Sequence, residues 1–319
     1  MLTLRRTGQA LMALSAAAFT TWAGFIALIT TRQREMLFAP TRQREVARCS
    51  PVGHRTRQVV LRSADGTRLC GWLMTPRVPG PHPAVVYFGG RSEEVSWVVR
   101  DAEHLFPGLQ VLAVNHRGFG ESQGIPGERE LVDDGCACVD WLCAAGRVPD
   151  GSRIAIVGRS LGSGIAVQVA ARRAVAAVVL VTPFDSVLAV ARRRIPAAPV
   201  GLILRHRFES VKVAEQVRAP VLIVRAERDD VVPHPHTDAL ATRLPKLIDD
   251  VVIPGSDHAN IPFIVTTQLL VRRFLRQAFA LAEPAETHAA PGAGNDLRDA
   301  SSCSSSAMPS HSNSDNARS

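Results

Sequence analysis

Short apolar, β-branched runs recur along the middle of the chain, each bounded by polar or turn-forming residues. They lie at 57–62, 69–75, 84–88, 110–114, 153–157, 176–181, 220–225 and 249–253. Near-continuous apolar runs of this length fit strands buried on both faces. The first two are close together with Asp65-Gly66 between them, which reads as a hairpin. The later ones alternate with helical stretches such as 127–146, 162–173 and 262–281. This alternation predicts an α/β fold: an eight-stranded, mostly parallel sheet with helices on both faces. Ligands of such sheets sit at the C-terminal ends of the strands.

Both ends of the chain break this pattern. Ala10 to Thr30 is a 21-residue uncharged run, just long enough to cross a bilayer as a helix. Arg5 and Arg6 precede it, and Arg32 and Arg34 follow. A cleaved signal peptide is the rival reading, but its only small-residue stretch, Ser15 to Ala18, leaves too short an apolar region before it. Residues 1–32 are therefore read as an N-terminal transmembrane anchor. Its orientation stays open: the positive-inside count puts the C-terminal flank in the cytoplasm, whereas Arg5, Arg6 and the amino group favour the reverse. At the other end, nine of the last nineteen residues are Ser, and 283–319 read as a disordered tail. The domain between spans 33–282. A short cap over the site is expected at about 185–215, where three consecutive arginines, Arg192 to Arg194, stand beside apolar residues. Acidic or lipid-like substrates, contact with the membrane and a solvated basic helix face are three readings of that cap.

The net charge of +8 raises the question of a nucleic-acid partner. Divided by segment, it does not support one. Residues 1–48 carry +5, concentrated around the apolar run, 281–319 carry −3, and the middle, 49–280, carries +6. No zinc-finger, basic-zipper or RNA-recognition pattern accompanies it, and aromatic residues make up only 5% of the chain, too few for base stacking. A Gly118-Phe119-Gly120 turn mimics a dinucleotide loop without the acidic residue that would follow. Cys136, Cys138 and Cys143 lack metal spacing and read as small buried residues.

The chemistry gathers at three strand ends. Gly158-Arg159-Ser160-Leu161-Gly162 follows the fifth strand and opens a helix, the context in which Gly-x-Ser-x-Gly forms a nucleophile elbow. Ser160 must be strained there, and the flanking glycines relieve the crowding. A serine hydroxyl needs a base to take its proton. His258, just after the last strand, is placed for that; His104, His116, His206, His234 and His236 are not. The base needs an orienting carboxylate. Asp229, after the seventh strand, is the choice, with Asp230 the alternative, Glu227 third, and capping of the helix near His234 the bland role for these acids. The oxyanion hole would take the Leu161 amide and one from the loop after the third strand: Arg91, or alternatively Gly90.

With these residues in order, the chain resembles the α/β-hydrolase superfamily over about 33–280. It is most similar to the membrane-anchored group around Bem46 and the ABHD-type hydrolases. The similarity rests on Gln33 to Pro40, on Phe88-Gly-Gly-Arg-Ser-Glu93, on Asn115 to Gly124, and on the segments holding Ser160, Asp229 and His258. Arg91 stands where the group usually has Asn. The resemblance singles out Asp229 as the acid. It implies a serine hydrolase acting on a small-molecule or lipid ester or thioester, with no metal or organic cofactor and no nucleic-acid partner. A peptidase or amidase on the same fold, and a catalytically silent membrane-bound binding protein, are the rivals.

Overall fold

A computed structural model of the chain describes residues 2–42, 53–144 and 146–280. The expected tail at 283–319 lies outside the described residues. Eight strands form one sheet: β1 (His54–Arg62), β2 (Arg68–Pro76), β3 (Ala84–Phe88), β4 (Gln110–Val114), β5 (Ile154–Arg159), β6 (Ala177–Val181), β7 (Val221–Arg228) and β8 (Leu247–Asp257). Their spatial order is β1-β2-β4-β3-β5-β6-β7-β8. β1 and β2 form the expected antiparallel hairpin, β2 runs antiparallel to β4, and every later pairing is parallel.

Nine α-helices occur among the described residues: α1 (Leu2–Phe38), α2 (Trp97–Leu105), α3 (Glu128–Ala144), α4 (Leu161–Arg172), α5 (Val187–Arg194), α6 (Val200–Ile203), α7 (Ser210–Val213), α8 (His234–Ala241) and α9 (Val265–Ala278). The two-residue period of the strands divides the core between the faces. In β3, Ala84, Val86 and Phe88 pack with Leu131 of α3 and Ile165 of α4. Val85 and Tyr87 turn the other way, towards Val98 of α2 and Phe274 of α9. All five are buried, which is why β3 reads as a continuous apolar run. Cys136 and Cys138 of α3 are buried in the first of these layers.

The N-terminal helix departs from the anchor boundary expected at residue 32. α1 runs unbroken for 37 residues to Phe38. Nothing in Thr31 to Phe38 stops a helix; the first proline is Pro40. The charged residues Arg32, Arg34 and Glu35 are exposed, while Ile29 and Gln33, one turn apart, are buried, and so is Phe38 at the helix end. Phe38 is enclosed in the core, edge-on to His206 and near Phe208. Further back, Ile26 and Ile29 pack with Leu188, Ala198 and Val200, in the segment between β6 and β7. The Trp22 indole N–H donates to the Ala197 carbonyl at 3.0 Å, and the Gln33 side-chain oxygen accepts the Arg205 amide at 2.8 Å. From Leu11 to Thr21 the helix is exposed all round.

Candidate active site

Four loops converge at the C-terminal ends of β3, β5, β7 and β8, where the sequence pattern places a site. Ser160 sits between β5 and α4 with φ 51° and ψ −117°, a conformation rare for a residue with a side chain. The turn survives because its neighbours are glycines. A Cβ on Gly158 would lie 2.4 Å from the Gly162 carbonyl oxygen, and one on Gly162 would lie 2.1 Å from the Phe88 carbonyl oxygen. Strand, turn and helix are thus packed backbone against backbone. The Ser160 amide is held by the Val181 carbonyl at 2.9 Å.

Ser160 Oγ lies 2.9 Å from His258 Nε2, and His258 Nδ1 lies 2.9 Å from both carboxylate oxygens of Asp229. With Nδ1–H donating to the carboxylate, Nε2 is left to accept the serine hydroxyl. The side chains of His258 and Asp229 are 13% and 3% exposed, so this pair works largely out of water. Asp229 is held in turn: its Oδ1 accepts the amides of Val231 and Val232 at 3.0 and 2.7 Å. The structure brings Asp229, rather than Asp230 or Glu227, against the histidine. Asp230 is exposed and offers its backbone carbonyl to Arg194; Glu227 accepts the Gly255 amide. None of these acids caps α8, whose N-cap is Pro233. Asp229 spends its spare acceptor capacity on its own loop instead. Of the other histidines, His234 Nε2 lies against the Ala226 carbonyl and His236 Nδ1 against Asp185.

The loop after β3 lies against the serine: a Cβ on Gly90 would be 3.6 Å from Ser160 Cβ. The Gly90 amide, the alternative oxyanion donor, is already taken by Glu93 Oε2 at 2.8 Å. The Arg91 amide has no acceptor among the described residues. The Leu161 amide opens α4, where helical N–H groups have no intrahelical partner. The Arg91 side chain turns away from the serine, donating from Nε to the Met36 carbonyl near the end of α1.

Glu93 and Arg159 are the residues that sequence reasoning passed over. Glu93 Oε1 accepts the Tyr87 hydroxyl and the Trp97 indole N–H, at 2.7 and 2.8 Å. Burial beside this carboxylate holds the Tyr87 phenol well above its ordinary value. Glu93 Oε2 also pairs with Arg159 at 3.0 Å, and Arg159 reaches on to the carbonyls of His258 and Ala259. One buried ion pair thereby ties the β3 loop, the serine turn and the histidine loop together. The available signals were a charged residue beside the nucleophile candidate and a Glu closing the Phe88–Glu93 string.

The Asn115–Gly124 run plays a supporting part. Arg117 forks onto Asp134, and both side chains are nearly sealed from solvent. His116 Nε2 lies 2.9 Å from the Gly89 carbonyl. A cleft of about 760 Å³ opens beside Asp229 and His258, lined also by Glu227, Asp230, Val231 and Asp257. Among the described residues no group of three His, Cys, Asp or Glu is placed to hold a metal ion.

Residues 79–192 match the family model described as serine aminopeptidase, S33. The chain is 33% identical over 264 residues to the uncharacterized protein Rv2307c of Mycobacterium tuberculosis, covering 82% of this chain and 93% of that one. It is 26% identical over 200 residues to the alpha/beta hydrolase domain-containing protein WAV2 of Arabidopsis thaliana, covering 56% and 64%. Among solved structures, the Pyrococcus furiosus esterase Pf2001 superposes with a TM-score of 0.58 at 19% identity, over 75% of this chain and 99% of that one.

Proposed function

As the chain belongs to the α/β-hydrolase superfamily, we propose that it is a serine hydrolase that transfers an acyl group from an ester or thioester to water. The observation that carries this reading is the line of contacts from Ser160 Oγ through His258 to Asp229, on a turn that strains the serine backbone. Ser160 Oγ attacks the acyl carbonyl carbon while its proton passes to His258 Nε2. Asp229 orients the imidazole and stabilises the cation that forms. The Leu161 and Arg91 amides receive the oxyanion. On collapse, His258 returns the proton to the leaving alcohol or thiol, and the acyl group stays on Ser160. Water, deprotonated by His258, then releases the acid and restores the serine. Every proton moves between the chain's own groups, substrate and water.

Helix α1 is the membrane anchor in this reading. Its Leu11–Phe38 stretch is long and apolar enough to cross a bilayer. A small-molecule or lipid acyl ester would then be met at a membrane.

Labelling with a fluorophosphonate probe tests the assignment. The folded protein is expected to be labelled and Ser160→Ala to be blank; an unlabelled folded protein, or equal labelling of the variant, overturns it. A second reading, cleavage of an amide next to a free amino group, is favoured by Glu227, Asp230 and Asp257 along the cleft. There they would attract a cation. Comparing p-nitrophenyl esters, acyl-CoA thioesters and aminoacyl p-nitroanilides separates the two readings.

A further inference from the structure

The part of α1 able to cross a membrane and the part packed on the domain overlap. Its uncharged residues run from Thr7 to Thr31. Among the described residues, contact with the domain begins at Trp22, through its hydrogen bond to the Ala197 carbonyl, and continues at Ile26 and Ile29. Fifteen uncharged positions, Thr7 to Thr21, precede Trp22. At about 1.5 Å per residue those positions span roughly 22 Å, short of the ~30 Å hydrocarbon core. A full span starting at Thr7 must therefore extend to about Ile26, alongside the segment that Trp22 and Ile26 touch.

The outer surface of that segment suits such a position. Leu202 of α6 is 87% exposed, and Trp22 and Phe25 of α1 are each about two-fifths exposed. α1 and α6 adjoin through Ile29 and Val200, and large apolar side chains left open on adjoining elements are the pattern of an interaction surface. Arg192, Arg193 and Arg205 are exposed and form no ion pair among the described residues. Arg192 lies over Gly201, where a Cβ would come within 2.8 Å of its guanidinium. It also borders a hollow of about 340 Å³ lined by Ala198, Pro199, Val200 and Leu202. Apolar residues flanked by unpaired arginines form the pattern of an interfacial anchor, with tails in the acyl layer and cations among phosphates.

We propose that the α5–α6 segment is a bilayer-docking face for an anionic leaflet: Leu202 enters the acyl layer beside α1, and Arg192 and Arg193 meet lipid phosphates. This rests on the reading of α1 as a membrane anchor. The same segment reaches the site, because Arg194 donates to the Asp230 and Val231 carbonyls in the loop that carries Asp229. The mouth of the proposed active site is therefore held against the lipid surface, and its substrate is an acyl ester taken from the leaflet.

The test uses the full chain in vesicles of phosphatidylcholine containing one third phosphatidylglycerol. An environment-sensitive fluorophore is placed at Leu202→Cys, after the protein's own reactive thiols are replaced by serine. Leu14→Cys reports the anchor, and Ser152→Cys, just before β5 at the N-terminal ends of the strands, away from the site, reports water. All three positions are exposed, so each variant is expected to keep the wild-type melting curve. Quenching by shallow spin-labelled lipid is expected to be several-fold stronger at 202 than at 152. Arg192→Glu with Arg193→Glu should lower it at 202 and leave position 14 unchanged. Quenching at 14 but no more at 202 than at 152 overturns the docking face and leaves the anchor standing. No quenching at 14 overturns the anchor and this inference with it. Strong quenching at 202 that ignores both the charge reversal and the phosphatidylglycerol overturns the phosphate contacts.

Discussion

Arg159 donates from Nη1 to Glu93 Oε2 at 3.0 Å, and this ion pair lies beneath the serine turn with side chains 16% and 8% exposed. The carboxylate also holds the Gly90 amide, and the guanidinium holds the His258 and Ala259 carbonyls. The pair fixes the distance between two loops that must both face Ser160. Removing one partner of a buried pair leaves an uncompensated charge. Glu93→Gln should therefore lower kcat by about tenfold to a hundredfold, or ~1.4–2.7 kcal/mol, with a much smaller change in KM. Glu93→Ala should also lower the melting temperature. Steady-state kinetics on a p-nitrophenyl ester, set beside a melting curve, checks this. Equal loss of kcat and stability in both variants would reduce Glu93 to a scaffold residue.

The acid assignment makes a paired prediction. Asp229→Asn should cost roughly 10³–10⁴ in kcat, because the amide no longer fixes the imidazole tautomer. Asp230→Asn should stay within a few-fold of wild type, since Asp230 is exposed and offers Arg194 its backbone carbonyl. Comparable losses in both would move the acid. Ser160→Ala and His258→Ala are expected to be as inactive as the double variant, because the residues act as one unit.

Gly162 carries a prediction about folding. A methyl group there would meet the Phe88 carbonyl oxygen at 2.1 Å, a backbone contact no rotamer change relieves. Gly162→Ala should destabilise by about 3 kcal/mol, the upper end of the usual overpacking cost, and show a lowered denaturant midpoint. An unchanged midpoint would mean that the turn is not clamped between β3 and β5.

His116 sets a pH dependence. Burial pushes its imidazole below the ordinary value, against the opposing pull of the Gly89 carbonyl and of the Glu93 and Asp134 charges. Below about pH 6.5 the unfolded chain takes up a proton that the folded chain refuses. Stability contributed by neutral His116 is therefore complete above that pH, and it falls as pH drops towards the lower folded value. Melting curves from pH 8 to 5 should show this decline, and His116→Gln, which can still donate to Gly89, should flatten it.

Much of this was legible along the chain. Residues 84–88 and 110–114 are strands with the bounds their runs suggest, because both faces are covered. Ser160, Asp229 and His258 each stand one residue past a strand end. What could not be read was tertiary. β4 sits outside β3 in the sheet, an order set by crossover helices rather than by any single run. β8 extends over 247–257, longer than its apolar 249–253, because its register with β7 shifts and carries pairing on to Asp257. Glu93 joins three loops distant in sequence, so its role does not follow from the short Phe88–Glu93 string that ends on it. The charged residues after Thr31 resemble a membrane flank, yet Gln33 is buried among them and Phe38 carries the helix end into the core.

That continuity has a mechanical consequence. A catalytic domain on a flexible tether tumbles above its membrane and meets lipid at random angles. Here a single rigid rod runs from the proposed span to a fully enclosed phenylalanine, Phe38, with no swivel between. Tilting the domain means tilting the rod through the bilayer. For the proposed membrane-anchored hydrolase, height and inclination above the lipid are thereby set by the fold, and the search for an ester becomes lateral diffusion in two dimensions.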